Sequence, residues 1–122
     1  MPDRETLIRN INVGDIFHAE SPNGASMICL ATAVDQTTIH ARRITTQDDF
    51  EFDRTTGVGE SARRRVPCTI NSVAPLPPEI HNVFLGLDHR YRTSTDPERN
   101  KLSQAEIDAI LYIDKYYPEN PI

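Results

Sequence analysis

The sequence predicts an α+β fold: a five-stranded antiparallel β-barrel, small, strongly twisted and SH3-like, over residues 11–74, followed by two C-terminal α-helices within 77–117. Three observations carry this expectation. Five short runs with strand patterning, punctuated by turn signals, fill the front of the chain. The segment "APLPPEI", residues 74–80, places Pro75, Pro77 and Pro78 where a strand would have to continue, and proline cannot donate to a ladder. Beyond it the apolar residues recur at helical spacing. All 122 residues are expected to form one domain. A chain of this length can bury roughly two thirds of the surface its unfolded form exposes, so a core without metal or disulfides is feasible.

The first strand follows the Gly14-Asp15 turn signal and covers Ile16 to Ala19. Asn23-Gly24 suits the positive φ of a tight hairpin. "SMICLATAV", residues 26–34, is apolar on both parities and reads as a central strand covered on both faces. In "TIHARRIT", Ile39 and Ala41 share one parity and Ile44 the other, which predicts a single-residue bulge near Arg42-Arg43. "DFEFD" alternates, with Phe50 and Phe52 directed to the core. "RTTGVGESA" reads as a loop with a flexible tip, and "RVPCTINSV" as the closing strand, with Pro67 at a sheet edge.

In the first helix Ile80, Val83, Phe84, Leu87 and Tyr91 fall at i, i+3, i+4, i+7 and i+11, and Pro78 suits the first turn. "TSTDPERNK" is a polar linker. The second helix opens on a capping box, Ser103 with Glu106, is expected to bury Ile107, Ile110, Leu111 and Ile113, and is expected to stop at Pro118.

Composition narrows the function classes. A net charge of -5 disfavours sequence-blind nucleic-acid binding, and all basic residues but Lys101 and Lys115 are arginine, the better fork for carboxylate or phosphate. Two cysteines do not make a secreted disulfide framework, and neither a signal peptide nor a membrane span is apparent, so the expected location is cytoplasmic, with no membrane partner.

Arg42, Arg43, Arg63, Arg64 and Arg65 are the candidate anion or nucleic-acid contacts. Asp48, Asp49, Glu51, Asp53 and Glu60 lie between the clusters and are expected to pair with them across the hairpin, leaving Arg63–Arg65 as the best anion site. "GVG", residues 57–59, lacks the following helix that a phosphate loop needs. His40, beside the arginines, is the candidate for proton transfer if the chain is an enzyme. His81 and His89 are eight apart, outside the i, i+4 relation for a shared metal, so no metal site and no cofactor is implied. Cys29 and Cys68 read as buried free thiols. No catalytic constellation emerges. Tyr112, Tyr116 and Tyr117 cluster near the C-terminus, as tyrosines do in protein interfaces. The function expected from the sequence is therefore a small non-catalytic binding or adaptor protein that contacts a protein partner or its own copies. A nucleic-acid-binding barrel using Arg63–Arg65 is the alternative, and an enzyme with a site near His40 the second alternative.

Overall fold

In a computed structural model describing residues 3–122, period-two alternation along the strands builds two apolar layers, one inside a barrel and one outside it. The strands are β1 (Ile16–Glu20), β2 (Ser26–Val34), β3 (Thr38–Arg43), β4 (Asp49–Asp53), β5 (Val58–Ser61) and β6 (Pro67–Ser72). Each pairs antiparallel with the next, and β1 pairs with β6 to close the barrel. Helices α1 (Arg4–Arg9), α2 (Pro78–Thr93) and α3 (Gln104–Glu119) complete the chain. The architecture is thus the expected small antiparallel barrel followed by two helices, but with six strands rather than five.

The added strand, β5, comes from the segment that reads as a loop. It carries no apolar alternation because Gly59 occupies the position opposite Phe52. A Cβ there would sit 2.3 Å from the Glu51 carbonyl oxygen, so only glycine lets β5 lie against β4. The "GVG" segment is accordingly no flexible tip. Gly57 is buried under α1, and the turn before it is held by Asp53, whose Oδ1 accepts from Thr55 N at 2.7 Å and Thr56 N at 2.9 Å.

Phe17, Ala19, Cys29, Ala31, Ile39, Ala41, Phe50, Phe52, Cys68 and Ile70 fill the barrel. Phe17 and Phe52 meet edge to face at 5.3 Å. Ile16, Ile28 and Leu30 on the opposite parity form the outer layer with Phe84, Leu87, Ala109, Ile113 and Tyr117 of the helices. β2 is covered on both faces, as its double apolar parity predicts. Ile44 is buried in this outer layer and needs no bulge at Arg42-Arg43, where β3 stays in register with β2. The irregularity lies instead on β2, around Thr32 between Ala31 and Ala33, and a second one separates His18 from Ala19. Pro67 stands beyond the last β1–β6 pair, Glu20 with Thr69, so its missing N–H leaves no gap in that ladder.

α1 closes one end of the barrel. Asp3 caps it, its Oδ1 accepting from Thr6 N at 2.8 Å, and Ile8 at its buried face joins Ile11 in the inner core. Arg4 donates to the Thr56 carbonyl at 3.0 Å and Arg9 to Thr55 Oγ1 at 2.9 Å, tying the helix to the β4–β5 turn.

α2 starts at Pro78 and turns the predicted stripe inward, with Phe84 and Leu87 buried and Ile80, Val83 and Tyr91 half-buried. α3 begins with the predicted capping box, but its buried line runs through Glu106, Ala109, Ile113 and Tyr117. Ile110 is half-buried, whereas Ile107 and Leu111, expected inside, face out. The cause is non-local: Glu106 accepts from Arg90 Nη1 and Nη2 of α2 at 2.7 Å each and from Ser103 N at 2.7 Å, which turns its own face inward. Pro118 does not stop the helix at Tyr117; the last turn runs to Glu119, because a proline there removes only one terminal hydrogen bond. A Ser103→Ala variant should lose about 1 kcal/mol in urea denaturation, since the cap bond to Glu106 N goes with the hydroxyl.

Candidate functional site

Strand parity separates the arginines that are neighbours in sequence. Arg42 shares the outward face of β3 with His40, and Arg43 shares the inward face with Ile39 and Ala41. Arg42 therefore meets α2. It donates from Nε to Asp88 Oδ1 at 2.9 Å and from Nη2 to Oδ2 at 2.8 Å, and Gln47 Nε2 adds a third donor to Oδ1 at 3.0 Å. Burial pushes the Asp88 carboxyl up, but the hydrogen bonds from Arg42 and Gln47 more than offset it and hold the group below the usual carboxylate range. The same pair raises Arg42. Arg42 is thereby committed to the barrel–helix joint rather than to an external anion. Asp88 was legible as an anomaly: it interrupts the apolar stripe at i+4 from Phe84 and three before Tyr91.

The expected cross-hairpin ion pairs are mostly absent among the described residues. Only Arg65 with Glu60, at 3.5 Å and exposed, joins a basic cluster to the named carboxylates. Arg54 instead donates to backbone carbonyls, including Arg9 at 2.8 Å, and so fastens α1 to the barrel. Asp53 caps its own turn, and Glu51 stands opposite His40.

Arg43 reaches the end of the barrel opposite α1. There, with Arg63 and Arg64 from the β5–β6 turn, it lines a hollow of about 230 Å³ whose other walls include Asn23, Asp48, Met27, Phe50 and Val66. Arg43 Nη2 donates to the Ser26 carbonyl at 3.3 Å, while its buried Nε has no acceptor. Among the described residues Arg63 and Arg64 have no ion-pair partner. The structure thus brings Arg43, Arg63 and Arg64 together, sends Arg42 to α2 and leaves Arg65 with Glu60. Phe50 and Phe52 are inside the barrel and offer no exposed face for base stacking.

His40 lies between Asp35, 3.9 Å from Nε2, and Glu51, 3.7 Å from Nδ1, on an open strand face. Arg42, its same-face neighbour, is held by Asp88. The histidine buried most deeply is His18, which pattern reading passed over. Its Nδ1 donates to Asn71 Oδ1, so its Nε2 accepts from the Ser26 hydroxyl, and its ring stacks on Tyr117 at 5.2 Å. This is a structural histidine that seats α3 on β1. Cys29 and Cys68 are free and buried; burial pushes Cys68 up to about 11 and Cys29 higher still, which keeps both thiols protonated at neutral pH.

The three C-terminal tyrosines divide. Tyr117 is wholly buried and belongs to the internal joint. Tyr116 is half-buried and donates its hydroxyl to the Pro75 carbonyl. Tyr112 stacks on Tyr116 at 5.3 Å and is exposed. Next to it Leu111 is 61% exposed and Ile107 38%. Leu111, Tyr112, Lys115, Tyr116 and Glu119 line a shallow hollow of about 360 Å³ on this face.

No helix among the described residues is long and apolar enough to cross a membrane. Compared with known proteins, the chain matches no family model, no curated protein sequence and no solved structure.

Proposed function

We propose that this chain is a small non-catalytic binding module of the cytoplasm, an SH3-like barrel that presents α3 to a protein partner or to a second copy of itself. One observation carries the reading. The inner stripe of α3 is fully used by the barrel and α2, yet the outer face still holds Ile107, Leu111 and Tyr112. Single exposed apolar residues are ordinary, but adjacent ones on one helix face fit helix-mediated docking. Tyr112 is already stacked on Tyr116, so its ring would lose little freedom on binding.

Leu111→Asp should leave thermal stability within about 0.5 kcal/mol, because the position is exposed, whereas Tyr112→Ser should cost about 1 kcal/mol through the lost stack on Tyr116. Sedimentation of the wild type should show concentration-dependent association, or an affinity-captured partner should be lost with Leu111→Asp. A wild type that stays monomeric throughout, with the same captured proteins for variant and wild type, would overturn the reading.

A further inference from the structure

The two ends of the barrel differ. α1 closes one with Ile8 and Ile11, whereas the other is rimmed by arginine. We propose that this second end is a binding site for a single phosphate monoester, with Arg43, Arg63 and Arg64 holding the dianion and the exposed Val66 at the rim, above the buried Met27 and Phe50, seating the apolar body that carries it.

Four observations converge on that ligand. Arg43 occupies an inward position at the mouth and lines the hollow, and within the protein its guanidinium meets only the Ser26 carbonyl, with no carboxylate to neutralise it. The turn that carries Arg63 and Arg64 is fixed in place: Ala62 N donates to the Asp49 carbonyl at 2.8 Å, Arg65 N to the Ser61 carbonyl at 2.9 Å, and Val66 N to Ser61 Oγ at 2.9 Å. Two free guanidinium groups therefore project from a backbone that needs little ordering on binding. The charges match as well. Three arginines against the single carboxylate of Asp48 leave a local excess of two positive charges, the complement of a phosphate dianion. Size and surroundings exclude a strand of nucleic acid. A hollow of about 230 Å³ holds one phosphate and a compact body, and Asp49 on β4, within a chain of net charge -5, would repel the phosphates of a longer strand.

Titration of the full chain with phenyl phosphate, followed by amide NMR shifts at low salt, tests this. Shifts should concentrate at residues 21–27, 43, 48 and 61–66. Affinity should rise as pH is raised through the second phosphate pKa of about 6. Inorganic phosphate should bind more weakly, since it lacks the apolar body. Arg63→Ala/Arg64→Ala should weaken binding about tenfold or more, and Arg65→Ala less than about twofold. All three positions are exposed, so these variants should fold, and a melting curve confirms it. Two results would overturn the proposal: no shifts at the mouth up to about 10 mM phenyl phosphate, or tighter binding of a single-stranded oligonucleotide with shifts extending beyond the mouth.

Discussion

Gly59→Ala should destabilise the protein by more than about 3 kcal/mol, the largest effect expected of any one-methyl change in this chain. The added Cβ would lie 2.3 Å from the Glu51 carbonyl oxygen, 2.7 Å from Phe52 Cδ1 and 3.0 Å from Phe52 Cα. Two of those three atoms are backbone, so rotamer adjustment cannot relieve the clash. Gly59 pairs with Phe52 on one side and Cys68 on the other, and β5 is only four residues long. Displacing it opens the ladder on both edges and exposes Phe52 and Cys68, which fill the barrel. With total stability of small domains at about 5–15 kcal/mol, the loss is a large fraction of the whole. The melting temperature should fall by roughly 12 °C or more. Gly86→Ala is the matching control: its Cβ meets nothing within 4 Å on α2, and alanine there should stabilise by about 0.5–1 kcal/mol. If circular dichroism melts gave Gly59→Ala an unchanged midpoint, β5 would not be seated against β4.

The difference between these glycines explains which parts of the fold were legible. β2 and β4 announce themselves through their own side chains, by double parity in one and clean alternation in the other. β5 has no such signature, because its place is set by what it lacks, room for a Cβ beside Glu51. α1 was missed for a related reason. Six residues with one buried side chain, Ile8, make no stripe, and only the Asp3 cap marks its start. The face of α3 could not be chosen locally, since Ile107, Ile110, Leu111 and Ile113 leave two faces equally apolar; the Arg90–Glu106 pair, sixteen residues apart, decides. The candidate arginines were legible by type and not by direction. Adjacent residues on a strand point oppositely, so "RR" at 42–43 is one joint to α2 and one wall of the mouth, never a cluster. Carboxylates nearby in sequence were the natural partners to expect, but Asp88, 46 residues away, is the one Arg42 takes.

That choice makes Asp88 the second position of large effect. Asp88→Ala should cost about 3 kcal/mol at pH 7, because it leaves the Arg42 guanidinium without its carboxylate at a buried joint, while Gln47 Nε2 keeps only its bond to the Ile44 carbonyl. Asp88→Asn keeps one acceptor oxygen but not the charge, and should lie between alanine and wild type. The pH dependence gives a sharper test. Asp88 and Glu106 both have folded-state pKa values below the ordinary carboxylate value. Such groups stabilise the fold fully above the unfolded pKa, and that contribution is lost as pH falls through the lower folded value. Wild-type stability should therefore hold down to about pH 5 and then decline steeply below about pH 4. In Asp88→Ala one of the two groups is gone, so the variant starts lower and declines less, and the two urea midpoints converge on acidification. Loosening the Arg42 joint should loosen α2 over Ile16, Ile28 and Leu30, while the His18–Tyr117 stack still holds α3 to β1. A difference between the two proteins that stays constant from pH 7 to about pH 3 would mean that Asp88 does not act on Arg42 as a charge.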